Sequence, residues 1–293
     1  MYVLIAFLTP FLHALSCIID AHFSNDIFKK TPSLVFYATV SNIIIIPFLF
    51  GTPAIPPLSI LAVLFLIAVI EVFYQIPYYL ALRNTDTSIV VALFSLGKIS
   101  LPVLAYFIVD EKLNFTQYLG FGIILSSGFL LNFDIKKLKL NIAFLLMLCV
   151  SILLALSAVL SKYSLQNIDF VTVLFWICIF TSLVNLSFLI LPQSRPDIIA
   201  DFSQYKKKIP LFLSNEFLNQ GGTMAITYAL AHLPVLVTES IESSQSIFTL
   251  FLGLALYKIF GNRFKENLSR QEIIKKIISF TAIIIGICLT LKS

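Results

Sequence analysis

The chain has 293 residues, of which 59% are hydrophobic, 14% aromatic and only 12% charged, and its mean hydropathy is +0.97. A soluble domain has roughly 25% charged residues, so this chain has too few polar side chains to cover a water-soluble globule. The composition therefore excludes an ordinary soluble fold and predicts a protein that is surrounded by lipid. The formal net charge of +5 is modest, and we expect no nucleic acid partner.

The apolar runs are long and do not alternate with polar residues, which favours helices over the strands of a barrel. Helices and closed barrels are the structures that satisfy their backbone hydrogen bonds in lipid, and a spanning helix takes about 20 residues. We predict an all-α integral membrane protein with ten transmembrane helices. The predicted spans are 2–20, 33–50, 57–82, 86–109, 115–133, 141–162, 169–191, 210–231, 234–258 and 273–291.

The predicted breaks between spans have local physical causes. Prolines at Pro53, Pro56 and Pro57 end the second span, since a proline lacks the backbone N–H that a helix interior requires. Residues 83–86 form a polar turn, and residues 134–139 and 195–208 are predicted as charged connectors. The first span has no preceding Lys or Arg and no small-residue cleavage site after it, so we expect a retained helix rather than a signal peptide.

Three weak internal matches occur in corresponding spans and in the same order, which indicates a duplication. Five spans per copy is an odd number, so the two copies must insert with opposite orientations. We therefore predict two inverted five-helix repeats, residues 1–134 and 135–293, an arrangement typical of transporters that bind substrate where the repeats meet. The matches are 13–16 with 154–157, 79–82 with 228–230, and Gly128 with Gly286.

Small residues and cysteines indicate packing rather than chemistry. Two stripes with a spacing of four residues favour close helix contact; they are Gly120, Ile124, Gly128 and Ala282, Gly286, Thr290. The four cysteines lie far apart inside apolar runs, with neither metal-ligand spacing nor a disulfide pattern. We expect no metal and no cofactor.

The stretch from Tyr79 to Asp86 resembles the tyrosine-alanine-leucine turn of EamA-type members of the drug/metabolite transporter superfamily. The run from Asp110 to Leu113 is similar to the glycine-glutamate-arginine-leucine element of that family, and Gln117, Gly120 and Ile124 fit its fifth-helix pattern. The resemblance implies a ten-helix transporter and says little about the substrate.

One departure from the family pattern concerns the fourth span. Many EamA-type proteins have a proline at the position of Lys98, and here Pro102 follows one turn later. The run from Leu96 to Ile99 resembles the glutamine-x-lysine-isoleucine pattern of the nucleotide-sugar and phosphate-ester branches. That resemblance implies an anionic group on the substrate.

Ionisable residues deep in the spans are the candidate functional residues, since each costs about 2.5–3.5 kcal/mol on insertion scales. Helical spacing places several of them on shared polar faces. We predict a substrate site lined by Lys98, Glu242, Glu71, Glu216, Glu239, Gln245, Tyr74 and His13.

The central hypothesis pairs Lys98 with Glu242 across a cavity lined by the third, fourth, eighth and ninth spans. Lys98 would meet a substrate anion, and a glutamate would transfer a proton or meet an ammonium group. The structural alternative is a buried lysine–carboxylate pair that only locks two helices together. Ionisable residues near span ends are assigned to capping or interfacial pairing; they are Asp20, Lys162, Glu111 and Lys112.

Most of the 20 Lys and Arg residues fall in the connectors after odd-numbered spans, whereas Lys112, Lys162 and Lys292 fall on the other side. The positive-inside rule then places both termini outside the cytoplasm. Ten-helix relatives usually have both termini inside, so family resemblance and charge count disagree.

The sequence predicts a secondary transporter of a small polar organic metabolite in the inner membrane, acting as exporter, importer or exchanger. No P-loop is present, so the drive would be protons or a counter-transported solute, and the partners would be that solute and the lipid bilayer. A membrane-embedded enzyme and a structural membrane protein are the alternatives. The chain has only three histidines and few polar loops for catalysis.

Overall fold

The computed structural model describes residues 1–42, 53–85, 87–94, 97–112, 114–132, 142–260 and 270–291. Regular structure among these residues is helical throughout, which confirms the predicted all-α class. The helices are α1 Tyr2–Ala6, α2 Leu8–His22, α3 Thr31–Val40, α4 Leu58–Phe73, α5 Gln75–Asn84, α6 Thr87–Leu93, α7 Leu101–Val109, α8 Phe115–Asn132, α9 Ile142–Leu165, α10 Phe170–Ile190, α11 Arg195–His232, α12 Val235–Glu242, α13 Gln245–Phe260 and α14 Arg270–Thr290. A π-helical turn, Phe23–Ile27, follows α2, and a 3-10 turn, Gly97–Ser100, precedes α7.

Four described segments are both long and apolar enough to cross a bilayer: Tyr2–Ile27, Leu58–Asn84, Ile142–Leu165 and Phe170–Ile190. Two shorter apolar helices are Gly97–Val109 and Ile277–Thr290. Large apolar side chains such as Phe107 and Ile190 are about four-fifths exposed. Side chains of this kind suit contact with lipid tails, so the exposed surface agrees with the composition.

The fourth and ninth predicted spans are each interrupted, although both were expected to be continuous. In the fourth, α6 ends at Leu93, Phe94 lies in a turn, and the next described residues form the 3-10 turn before α7, which has Pro102 in its first turn. In the ninth, Ser243 and Ser244 separate α12 from α13, and the Ser243 N–H is shared between the Glu239 and Ser240 carbonyls. Such breaks leave backbone groups free to contact a polar cavity.

The prediction of a charged connector over residues 195–208 is wrong, because α11 begins at Arg195 and runs without interruption to His232. Pro196 lies in its first turn, where a missing N–H costs nothing, and Asp197 there complements the positive end of the helix dipole. At 1.5 Å per residue, its 38 residues span about 57 Å, longer than a bilayer core of about 30 Å.

The predicted small-residue packing is confirmed where α8 crosses α14. A methyl group built on Gly120 would lie 2.6 Å from the Gly286 carbonyl oxygen and 2.7 Å from the Leu289 Cβ. The reciprocal position, Gly286, would meet Ile124 Cγ1 at 2.6 Å. Each glycine therefore allows a backbone approach that any larger residue would block.

Helices α2 and α9 occupy comparable positions in the packing. Helix α2 contacts α11 and α13, while α9 contacts α4, α5, α7 and the 3-10 turn. Helix α10 packs against α3 and α4, and α3 also contacts α11. These contacts bring the interrupted fourth and ninth spans next to α2 and α9, where the polar side chains described below meet.

We predict that Gly120→Ala destabilises the protein, since its methyl group would overlap the backbone of α14. Overpacking of this kind costs about 1–3 kcal/mol, which a lower midpoint of thermal unfolding in detergent would report. Gly122→Ala is the matched control on the same helix, because nothing lies within 4 Å of a methyl group there. Equal midpoints for the two variants would contradict the close packing of α8 and α14.

Candidate functional site

A cavity of about 260 Å³ lies among the helices, and its wall combines apolar residues with carboxylates, a lysine, a histidine and hydroxyl groups. Of the predicted site residues, Glu216 does not line it. The structure places the others in the wall: Lys98, Glu242, Glu71, Glu239, Gln245, Tyr74 and His13. These residues come from α2, α4, the 3-10 turn, α12 and α13, so the structure brings together positions far apart in the sequence.

Lys98 forms a buried ion pair with Glu239 rather than with Glu242. Its Nζ lies 3.1 Å from Glu239 Oε2, and the two side chains are 7% and 10% exposed. The ammonium also donates to the Glu239 carbonyl oxygen at 2.7 Å and to Ser243 Oγ at 3.2 Å. The predicted pair of Lys98 with Glu242 is therefore wrong, because the end of α12 turns the earlier of its two glutamates towards the lysine.

The 3-10 turn that bears Lys98 rests directly on α9. The Gly97 N–H donates to Ser151 Oγ at 2.7 Å, and a side chain at Gly97 would overlap the backbone of Ser151 and Ile152. Ser100 Oγ donates to the Gly97 carbonyl oxygen at 2.6 Å, which closes the turn. Glycine at this position lets the turn approach α9 closely and so fixes where Lys98 enters the cavity.

Glu242 instead pairs with His13 of α2. The distance from His13 Nδ1 to Glu242 Oε1 is 2.8 Å, and the side chains are 21% and 12% exposed. A side chain at Gly222 would overlap the His13 imidazole, so glycine on α11 leaves room for the ring. His13 Nε2 and Glu242 Oε2 have no hydrogen-bond partner in the described structure. Both atoms are buried, and His13 Nε2 packs against Gly222 of α11.

Glu71 lies in the cavity wall on α4 and accepts a hydrogen bond from Ser157 Oγ at 2.7 Å. Tyr74 and Gln75 follow it in the wall, and the Gln75 side-chain amide donates to the Glu71 carbonyl oxygen at 2.9 Å. Glu216 is 5% exposed and accepts from Gln220 Nε2 at 2.8 Å. Glu216 therefore contacts Gln220, which lines the cavity, but does not line the cavity itself.

Asp20 is a carboxylate in the cavity wall that the sequence interpretation did not assign to the site. It was assigned to a span end, but α2 continues to His22 and the π-helical turn to Ile27, so Asp20 lies well inside the helix. Its Oδ1 accepts from Asn215 Nδ2 at 2.8 Å and from the Tyr79 hydroxyl at 3.4 Å. Its Oδ2 accepts from the Tyr78 hydroxyl at 3.1 Å. Two adjacent tyrosines in a span are the sequence signal that could have suggested such a partner.

Capping, which was predicted for Glu111 and Lys162, is confirmed. The Val235 N–H at the start of α12 donates to both Glu111 carboxylate oxygens, at 3.0 and 2.9 Å. Burial raises the pKa of the Glu111 carboxyl, while this N–H and the charge of Lys162 act in the opposite direction. Lys162 Nζ donates to the Leu230 and Leu233 carbonyl oxygens near the end of α11. These residues close helix ends at one edge of the bundle.

We predict that Lys98→Met lowers the free energy of unfolding by about 3–5 kcal/mol, because it leaves the Glu239 carboxylate buried without its cation. Adding Glu239→Gln removes that charge as well, so the double variant should recover most of the loss. Thermal unfolding in detergent measures both steps. The control is Lys112→Met, since Lys112 is 69% exposed. A double variant no more stable than Lys98→Met would show that the pair does not stabilise the fold.

Comparison with known proteins adds three findings. The model of the EamA-like transporter family matches residues 1–133. No curated protein matches the chain. A solved structure described only as "Crystal structure of protein" has a TM-score of 0.63 and 13% identity to it, and the match covers 99% of this chain and 96% of that chain.

The structural likeness shows a shared fold alone, since the identity is low. The family match covers the part of the sequence where the tyrosine-alanine-leucine turn and the fifth-helix pattern occur. The match of residues 1–133 to the EamA-like transporter family, together with the long apolar helices, supports a multi-pass membrane protein of the drug/metabolite transporter type.

Proposed function

We propose that the protein is a secondary transporter that moves a small polar organic metabolite through the central cavity. The observation that supports this most directly is the position of two pairs, the Lys98–Glu239 ion pair and the hydrogen-bonded His13–Glu242 pair, in the wall of one cavity between helices of both chain halves. Ionisable groups at membrane depth are costly, and they usually face a wet cavity that binds or conducts a solute.

We further propose ten spans in two inverted repeats, residues 1–134 and 135–293. The packing supports this. When each predicted span is replaced by its counterpart five places along the chain in the other half, pairs of spans that contact each other become pairs that also contact each other. The contact of α2 with α11 corresponds to that of α9 with α4 and α5, and the contact of α2 with α13 corresponds to that of α9 with α6 and α7. The pairs α8–α14 and α3–α10 each join equivalent helices, as contacts across a two-fold axis would.

The interrupted spans fit the same proposal. The break before α7 and the break after α12 lie in equivalent spans, and each places a charged side chain at the cavity, Lys98 from one and Glu242 from the other. Discontinuous helices at the interface of two repeats are how many secondary transporters build a site at the membrane midplane. We infer that alternating access moves the two halves about these breaks.

A proton or a counter-transported solute would drive transport. The His13–Glu242 pair suits proton coupling, since either partner can gain or lose a proton and Lys98, Glu239 and Glu71 lie in the same wall. An enzyme is disfavoured by the histidine positions: His22 pairs with Asp26 and His232 stacks on Tyr2, and neither lines the cavity.

We predict that Lys98→Met with Glu239→Gln folds but does not transport. In proteoliposomes loaded with one unlabelled solute from a panel of amino acids, amines, sugars and phosphate esters, the unaltered protein should produce counterflow of the same labelled solute. The double variant should produce none, because the cavity has lost its internal ion pair. Glu242→Gln should reduce the dependence of the rate on pH.

The structural alternative makes the opposite prediction for the same variants. If the pair only locks helices together, the double variant restores both stability and counterflow. Counterflow at the unaltered rate in the double variant would contradict a role of Lys98 and Glu239 in transport. Turnover of a lipid without counterflow of any solute would instead support an enzyme.

We place the protein in the inner membrane with both termini outside the cytoplasm. Lys207 is an exposed residue of α11, which follows the C-terminal end of α10. Asn167 is an exposed residue just before the N-terminal end of α10. In a cysteine-free background, we predict that Asn167→Cys reacts with a membrane-impermeant maleimide in intact cells. Lys207→Cys should react only after permeabilisation. The reverse pattern would show that the orientation of ten-helix relatives prevails over the charge distribution.

A further inference from the structure

The charges in the cavity wall do not balance. Glu239 is paired with Lys98 and Glu242 with His13. Asp20 and Glu71 line the same cavity, and among the described residues no Lys, Arg or His nitrogen lies within 4.0 Å of either carboxylate. The cavity therefore has two carboxylates without a cation.

Lys98 is not free to receive a substrate anion. Lys98 Nζ donates hydrogen bonds to the Glu239 carbonyl oxygen and Ser243 Oγ and forms an ion pair with Glu239 Oε2 at 3.1 Å, so its close partners all belong to the protein. An anion would have to break this buried set and leave Glu239 uncompensated. The sequence around Lys98 resembles transporters of anionic substrates. The contacts of Lys98 in the structure, however, give little support to an anionic substrate.

Asp20 is held in place by neutral donors. The Asn215 amide and the hydroxyls of Tyr78 and Tyr79 donate to its carboxylate. These donors orient Asp20, no Lys, Arg or His nitrogen of the described residues lies within 4.0 Å of it, and burying a carboxylate without a close partner is costly. Asn215 is 6% exposed, and its carbonyl oxygen accepts no hydrogen bond in the described structure, so a second free acceptor lies next to the carboxylate.

Aromatic rings line the cavity beside Asp20. Tyr74, Tyr78 and Phe94 are all in its wall. The Tyr78 ring centroid lies 6.4 Å from that of Tyr74 and 5.7 Å from that of Phe94. Aromatic faces attract cations within about 6 Å of the ring centroid, and such rings are a common device for recognising substituted ammonium groups.

We propose that the Asp20 end of the cavity binds an organic ammonium group, so that the transported metabolite is a cation or bears an ammonium substituent. Asp20 supplies the opposite charge, while Tyr74, Tyr78 and Phe94 enclose the apolar surface of the group. This proposal rests on the proposed transport function and specifies its substrate class. Glu71 adds a second uncompensated carboxylate in the same cavity, which raises the local concentration of cations.

The test is binding to the purified protein in detergent, measured by isothermal titration. The probes are choline, its uncharged isostere 3,3-dimethyl-1-butanol, and the anion 3,3-dimethylbutanoate, which have similar apolar ends. We expect choline to bind at least about tenfold more tightly than either of the others, because truncating one partner of a buried charge pair typically costs several kcal/mol. Asp20→Asn should weaken choline binding by a similar factor.

Asp26→Asn is the matched control. Asp26 lies on the π-helical turn after α2, its side chain is 53% exposed, and it does not line the cavity. Choline should bind this variant as it binds the unaltered protein, and thermal unfolding should show that both variants fold. Phe94→Leu removes one aromatic face without changing any charge, so it should weaken choline binding more than binding of the uncharged isostere.

Several outcomes would overturn the proposal. They are equal affinity for choline and its isostere, tighter binding of the anion, no choline binding at all, and unchanged choline binding by folded Asp20→Asn. Tighter binding and counterflow of the anion or the neutral probe would leave the transport function intact and remove only the ammonium site. Absence of counterflow for every solute in the panel would instead count against transport itself.

Discussion

The buried ion pair between Lys98 and Glu239 is the interaction on which the arrangement of the cavity depends. It joins the 3-10 turn before α7 to α12, which ends at the break before α13. Two charges at membrane depth would each be prohibitively costly alone, and pairing offsets much of that cost. The position of Lys98 depends on Gly97, whose missing side chain lets the 3-10 turn rest on α9.

This pair also limits what the cavity can bind. The Lys98 ammonium donates to Glu239 and Ser243 and forms an ion pair with Glu239. A substrate anion would therefore have to displace these contacts in order to bind it. His13 and Glu242 form a second pair in the same wall, which joins α2 to the end of α12. Asp20 and Glu71 have no cation within 4.0 Å among the described residues; Asp20 accepts from three neutral donors and contacts Tyr78, whereas Glu71 accepts from Ser157 Oγ. Selectivity for charge follows from this unequal pairing, rather than from the depth of any one residue.

Much of the helical architecture could be predicted from the sequence, because long apolar runs leave few alternatives to helices in lipid. The depth of Lys98 and the polar stripes on the third and ninth spans led to residues that line the cavity. The partner of Lys98 could not be predicted, since Glu239 and Glu242 lie about 60° apart around a helix of 3.6 residues per turn. In the folded structure the rotation of α12 directs Glu239 to Lys98 and Glu242 to His13, which a local sequence pattern does not encode.

Other features depend on contacts that a local pattern does not encode. Asp20 appeared to lie at a span end because the polar residues after His22 suggested a loop, yet they continue as a π-helical turn packed on α5. Likewise, the charged residues after Arg195 suggested a connector, although each is compatible with a helix that continues beyond the membrane. Polarity predicts exposure to water in such segments, and it does not by itself predict the end of a helix.

An experimental structure of the protein with choline bound tests the central claim most directly, since it locates the charge of the ligand relative to each carboxylate. The account predicts the ammonium nitrogen inside the cavity, within about 5–6 Å of the Asp20 carboxylate and of the Tyr78 ring, with the Lys98–Glu239 pair intact. Density for choline only on the outer surface, or beside Glu239 with Lys98 displaced, would contradict it.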